Sequence, residues 1–168
     1  MAGYHLAKWA ARAMRGTITV GSLASNYSYN SLYNNSSGAE VLIVRLLASL
    51  SAGVTFFGVQ FVAGQYGVVA GKVTRVQAGE AVHAGVLLSN QQTTVPAPDF
   101  NLYFNTVPIW TDPDYPIAII PPNWSLAAVA PNTSQAFATS WLWDVIPASD
   151  LMDLGIDPMS DPANWPNQ

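Results

Sequence analysis

The sequence predicts an all-β fold, a sandwich of two sheets. Residues 41–50 and 54–62 are long runs of Val, Ile, Leu and Phe with no 3.6-residue stripe, so they fit buried strands better than helices. From residue 16 onward, short segments alternate with Gly, Pro, Asn and Ser, which is typical of many strands and tight turns. Residues 137–146 alternate so that Phe137, Trp141 and Trp143 share one face, enough to fill much of a sandwich core.

The chain of 168 residues is expected to hold one domain with one core. Its composition divides it into a basic amphipathic arm (residues 1–15), a sandwich domain (16–146) and a Pro- and Asp-rich tail (147–168). The two ends therefore carry opposite charge.

The arm is predicted to be a short helix over residues 3–15. An apolar stripe at helical spacing consists of Leu6, Trp9, Ala10, Ala13 and Met14, and a basic face consists of Lys8, Arg12 and Arg15. A helix this short is marginal alone, so Trp9 is expected to dock on its own domain or a neighbouring subunit. The alternative is a basic patch for nucleic acid or a membrane surface, although three charges and one Trp are few for that role.

Eleven strands are expected in the sandwich, and the first two long runs are expected to form a central hairpin through residues 51–53. Long irregular connections are expected at residues 89–100 and 108–116. The predicted strands are 17–23, 27–33, 41–50, 54–62, 66–69, 72–76, 81–88, 102–107, 117–120, 125–130 and 137–146.

The tail is acidic and lacks a repeating apolar pattern. It contains four Pro, four Asp and no Lys or Arg, a composition that does not fold alone. We expect it to be held by contacts with a neighbouring chain through its large apolar residues, which are Leu151, Met152, Leu154, Met159 and Trp165.

Composition also limits the partners. Half of the residues are hydrophobic but only 10% are charged, so part of the surface is expected to be covered by other copies of the chain or by a partner. A net charge of −4 gives no overall attraction to nucleic acid, and no apolar run is long enough to span a membrane. With no Cys, the chain has no disulfide, thiolate zinc site or thiol nucleophile.

Groups that carry chemistry are few. His5 and His83 have no acidic partner at a known spacing, and no catalytic motif is present. Glu40 and Glu80 each precede a predicted strand. A pair of carboxylates facing one cleft could cleave polysaccharide, so a sandwich enzyme of this kind is a further hypothesis. The Asp residues near 112–114 and in the tail lack a calcium-loop spacing. We therefore predict no enzyme, cofactor or metal.

Two other features indicate contacts. Arg45 lies inside an apolar run, so it is expected to pair with Asp144 or Glu40, or to point across an interface. Tyr27, Tyr29 and Tyr33 alternate on one strand, where a solvent-facing row would make an aromatic platform for sugars, and a core or subunit contact is the competing reading.

Two segments have a distinctive sequence. The first is residues 32–45, LYNNSSGAEVLIVR, a turn of Asn, Ser and Gly that feeds an apolar strand with an Arg near its end. The second is residues 117–127, IAIIPPNWSLA, with Asn132-Thr133-Ser134 and the strand ending at Asp144. Both segments resemble small jelly-roll virion proteins of tailed bacteriophages, in which the corner after the two prolines usually has Gly where this sequence has Asn123.

The resemblance implies a jelly-roll sandwich that acts as a capsid decoration or cement protein on the virion surface. Its partners would be the major capsid protein and other copies of itself, a trimer being favoured by analogy, and it would have no catalytic residues. The alternative is a glycan-binding module of a phage tail, a fibre or a host protein.

Overall fold

All regular structure in the described part of the chain is β. The computed structural model describes residues 13–36, 40–51, 54, 56–75, 86–93, 96–103 and 117–147. Its eleven strands are β1 Ala13–Val20, β2 Tyr27–Asn34, β3 Glu40–Ser49, β4 Phe56–Ala63, β5 Val68–Val69, β6 Lys72–Arg75, β7 Val86–Thr93, β8 Phe100–Tyr103, β9 Ala118–Ile120, β10 Trp124–Thr133 and β11 Phe137–Pro147.

The strands form two antiparallel sheets, which confirms the predicted all-β fold. The five-stranded sheet has the order β6-β1-β11-β3-β9, and the six-stranded sheet has the order β5-β7-β2-β10-β4-β8. One apolar cluster, with Trp141, Trp143 and Phe57 at its centre, takes side chains from both sheets. The two sheets therefore bury a common core, as in a sandwich.

The strand pairing is nested. In the five-stranded sheet β1 pairs with β11 and β3 with β9, while in the six-stranded sheet β2 pairs with β10 and β4 with β8. Strands β5 to β7 extend the two sheets, because β6 adds to the edge at β1 and β7 adds to the edge at β2. The first four strands thus lie antiparallel to the last four along the whole sandwich.

The predicted central hairpin is wrong. Strands β3 and β4 lie in different sheets: β3 is hydrogen-bonded to β11 and β9, and β4 to β10 and β8. Both strands have a neighbour on each side and one face on the core, so their apolar sequences reflect burial and not pairing with each other.

Three residues at the end of the predicted N-terminal helix belong to β1. Ala13 to Arg15 are paired with residues 142–144 of β11. Buried Met14, Ile18 and Val20 alternate with exposed residues along β1, and this two-residue period extends into the predicted helix. The connection predicted at residues 89–100 is likewise shorter, since β7 continues to Thr93. Residues 1–12 and 148–168 lie outside the described residues.

The core contains large aromatic side chains, as the alternating pattern of residues 137–146 predicted. Trp141, Trp143 and Phe137 are fully buried on one face of β11. Phe137 meets Phe57 of the other sheet edge to face, with ring centroids 5.7 Å apart. The Trp141 indole N–H donates to the Thr139 hydroxyl at 2.8 Å, so this ring is buried with its polar atom satisfied.

Asn34 closes one end of the sandwich, here called the Asn34 end. Its side-chain amide donates to the carbonyls of Glu40 and Ile120, both at 3.0 Å, and its side-chain oxygen accepts from the Ser36 backbone N–H. Its own carbonyl accepts from the Asn123 N–H at 2.7 Å. Asn34, at the end of β2, is therefore hydrogen-bonded through its buried side chain to the start of β3 and the end of β9, and through its carbonyl to the corner before β10.

That corner requires a left-handed backbone. Asn123 has φ of 64°, a conformation that Gly adopts freely and that Asn tolerates better than most other residues. The Asn123 carbonyl also accepts from the Gly64 N–H at 2.6 Å, where the chain leaves β4. An Asn after two prolines is thus compatible with the same turn geometry as a Gly.

Candidate interaction surfaces

Of the residues predicted to make intermolecular contacts, the structure describes Arg15. It lies on β1, opposite Leu142, and its side chain is exposed on the outer face of the five-stranded sheet. The other predicted contact residues lie outside the described residues; they are Lys8, Trp9, Arg12, Leu151, Met152, Leu154, Met159 and Trp165.

Three inter-strand connections meet at the end of the sandwich opposite the Asn34 end. The Ser134 N–H donates to the Asn26 carbonyl at 2.9 Å, which joins the β10–β11 turn to the β1–β2 loop. The Leu50 N–H donates to the Ala138 carbonyl at 2.8 Å, and the Ala138 N–H donates to the Ser51 hydroxyl at 2.8 Å. The start of the β3–β4 connection therefore lies beside the same turn.

We call this region the apolar end, defined by residues 21–26, 50–51 and 134–136 and the start of β4. Leu23 is 49% exposed and Leu50 is 58% exposed, and Phe56 at the start of β4 is also exposed. The chain has no Asp, Glu, Lys or Arg in residues 16–39, 46–71 and 115–143. The apolar end thus presents large hydrophobic side chains among Ser, Ala, Gly, Asn and Gln without a charge.

The outer face of the five-stranded sheet carries a second apolar cluster. Val41 and Ile43 alternate with core-facing Leu42 and Val44 on β3, so they point away from the core, yet they are 0% and 4% exposed. Ile119 of β9 and Ile146 of β11 pack against them and are partly buried. We call these four residues the outer cluster.

Arg45 pairs with Asp144 on this face, which confirms one of its predicted partners. The Arg45 Nε–H donates to Asp144 Oδ2 at 2.8 Å. Arg45 is the extra residue of a β-bulge, because Val44 is paired with Trp143 while Leu46 is paired with Leu142. The bulge lets Val44 and Leu47 both face the core while Arg45 reaches the carboxylate on the outer face.

The predicted tyrosine platform is not open to solvent. Tyr29 and Tyr33 are buried and Tyr27 is half-buried, although all three lie on the outer face of the six-stranded sheet. Tyr66 stacks on Tyr29 with ring centroids 4.4 Å apart and an interplanar angle of 8°. The Ser31 hydroxyl donates to the Tyr66 carbonyl at 2.6 Å, and this hydrogen bond holds Tyr66 over Tyr29. The alternation of residues along β2 could not predict that Tyr66, which lies in the segment after β4, packs on Tyr29.

A second segment covers the same sheet beside β4. Pro98 approaches Gly58 so closely that a Cβ at residue 58 would lie 2.7 Å from the Pro98 Cβ. The Asp99 N–H donates to the Val59 carbonyl at 2.7 Å, and its carboxylate accepts from the Phe61 N–H at 2.6 Å. Asp99 thereby satisfies backbone groups of β4 beyond the end of β8 and places a charge at this edge of the sheet.

The described residues contain no group of three or more His, Cys, Asp or Glu that could hold a metal ion. They also contain no helix long and apolar enough to cross a membrane. His5, His83 and Glu80 lie outside the described part, and Glu40 lies at the start of β3.

No protein-family model, no curated protein and no solved structure matches this chain.

Proposed function

We propose that the chain is a non-enzymatic structural protein of a virus particle, a decoration or cement protein that binds the capsid surface as an oligomer. Its fold would be a jelly roll. The nested strand pairs support this topology, because four strands of the first half and four of the second alternate between two sheets in the order expected of a double Greek key. The partners would be the major capsid protein and other copies of the chain.

The apolar end is the observation that carries this proposal. Leu23 and Leu50 expose about half of their surface, and residues 16–39, 46–71 and 115–143, which include the apolar end, carry no charge. Exposed large apolar side chains in an uncharged part of a surface mark contact sites, and such a surface fits an uncharged partner surface without desolvating ions. A protein that acts by attachment needs such a surface and needs no catalytic group.

The binding free energy of one apolar end is modest, but the total becomes large when an oligomer makes the same contact several times. Burying the exposed half of one Leu side chain contributes about 1 kcal/mol, so Leu23 and Leu50 together contribute about 2 kcal/mol. On an oligomer the second and third contacts are made at high effective concentration, so weak single contacts add to tight attachment. Repeated over a shell, this binding opposes separation of the capsomers.

The proposal is tested on particles purified by density gradient from the source of the chain. The chain should be present in fixed ratio to the major capsid protein. Recombinant chain should then rebind saturably to particles that lack it and raise the temperature at which they break open. Absence from purified particles, together with no co-sedimentation of the recombinant chain, would refute the proposal.

The apolar end is tested with a paired substitution and a matched control. Leu23→Ser with Leu50→Ser should weaken co-sedimentation by about 30-fold, the equivalent of about 2 kcal/mol. Val68→Ser with Val69→Ser removes two exposed apolar side chains from β5 at a sheet edge and should leave binding unchanged. Equal loss in both variants would contradict a role for the apolar end. Saturable binding to a glycan array without binding to particles would favour the glycan-binding alternative instead.

A further inference from the structure

The outer cluster is buried although it lies on the outside of the sandwich. Val41 and Ile43 are as inaccessible as core residues, and the core is on the opposite face of their sheet. Within the described part of the chain, no strand packs on this side of the five-stranded sheet, and Ile119 and Ile146 are themselves only partly buried. Strand neighbours flank a residue but leave its outward face open, so such complete burial indicates a covering segment.

The position of the chain after β11 makes the C-terminal segment a candidate for this covering segment. Ile146 is paired with Val41, and Pro147, the last residue of β11, is paired with Glu40. Residues 148–168 therefore leave the sheet directly beside the outer cluster, to which Ile146 itself belongs. The chain before β1 enters at Ala13, on the other side of β11 from Val41 and Ile43. Residues 104–116 also reach the sheet nearby, because Ile117 is hydrogen-bonded to Val44 at the start of β9. The C-terminal segment differs from both in that it follows directly from Ile146, a member of the outer cluster.

The chemistry of this segment matches the face. Leu151, Met152 and Leu154 follow β11 within a few residues of the sequence, and their apolar side chains are of the type that would cover the outer cluster. The segment also carries four Asp and no basic residue, while the exposed Arg15 side chain lies on the same face of the sheet. Opposite charges near an apolar contact fix its register and orientation.

We propose that residues 148–168 fold back over the outer face of the five-stranded sheet of the same chain, with Leu151 and Leu154 against the outer cluster. The segment would then stabilise its own sandwich. This differs from the expectation from the sequence, which was that the tail contacts a neighbouring chain. This inference does not depend on the proposed function.

The absence of Cys from the natural sequence makes a clean cross-linking test. Ile119→Cys combined with Leu151→Cys should form a disulfide within one chain when the full-length protein is treated with diamide, because the two side chains would lie in contact. Most of the protein should then run as a faster monomer on a non-reducing gel. Val69→Cys combined with Leu151→Cys is the matched control, since Val69 is exposed on the other sheet, and it should cross-link only as a minor species.

Two outcomes would overturn the proposal. Cross-linked dimers without a cross-linked monomer would mean that the segment covers the sheet of another copy. Equal cross-linking of the Ile119 and Val69 variants would mean that the segment has no preferred site. A chain truncated after Pro147 gives an independent measurement: its binding of the dye ANS should rise several-fold over the full chain, whereas deletion of residues 1–12 should have a smaller effect. The test needs no virus particle, so its failure is separate from failure of the proposed function.

Discussion

The Arg45–Asp144 pair allows a quantitative test of how the bulged face is stabilised. The two side chains are 19% and 4% exposed, so both ions are largely removed from water. At 2.8 Å and an effective dielectric constant near 20, their attraction is about 6 kcal/mol, and desolvation of the two ions offsets most of it. The net contribution of the intact pair is therefore small, whereas loss of one member leaves a poorly solvated charge.

We expect Arg45→Met to lower the free energy of unfolding by about 3 kcal/mol, since the remaining carboxylate is the deeper of the two groups. Asp144→Asn should cost less, about 2 kcal/mol, because the Arg45 side chain retains some access to water. The double variant Arg45→Met/Asp144→Asn should cost less than the sum of the two single variants, with a coupling energy of about 2 kcal/mol.

The assay is urea unfolding followed by tryptophan fluorescence, which reports on the buried Trp141 and Trp143. A loss of about 3 kcal/mol lowers the midpoint by about 1.5 M for a slope near 2 kcal/mol/M. Arg15→Met, exposed on the same sheet face, is the control and should change stability by no more than about 0.5 kcal/mol. Additive effects of Arg45 and Asp144, or single variants as stable as the control, would refute the reasoning.

Two further predictions concern backbone positions. Gly58→Ala should destabilise by about 1–3 kcal/mol in the same urea assay, because its Cβ would overlap Pro98, whereas Gly21→Ala, with nothing within 4 Å of the new Cβ, should be neutral or slightly stabilising. Equal effects of the two would contradict the close contact. Asn123→Ala should cost about 1 kcal/mol because of its positive φ, and Asn123→Gly should be tolerated; a more stable Ala variant would show that the turn is not strained.

Local patterns were sufficient to predict that the chain forms many strands, although not the start of β1 or the end of β7. Phe137, Trp141 and Trp143 alternate along the sequence, and the structure puts all three in the core. Asp144 was one of the alternatives expected for Arg45, because an unpaired charge among apolar residues is too costly. The all-β sandwich could thus be predicted from residues within a few positions of one another.

Pairing between distant segments could not be predicted in this way. Strands β3 and β4 are adjacent in sequence and each is apolar, but these facts do not specify which strand lies beside them, and the nested partners β9 and β8 follow much later. The burial of Tyr29 has the same origin, because its cover, Tyr66, belongs to another strand connection. The contact residues predicted in the arm and tail remain predictions, Arg15 included, since the structure shows only that Arg15 is exposed.

The nested pairing has a consequence for how the polypeptide acquires its structure. Because β1 is hydrogen-bonded to β11, this ladder can close only after β11, which lies far later in the sequence, has been synthesised. Until then one edge of β1 lacks its final neighbour; the other edge of β1 pairs with β6, and β7 pairs with β2. Folding is therefore expected to be slow, and release of a chain that lacks β11 would leave aggregation-prone strands.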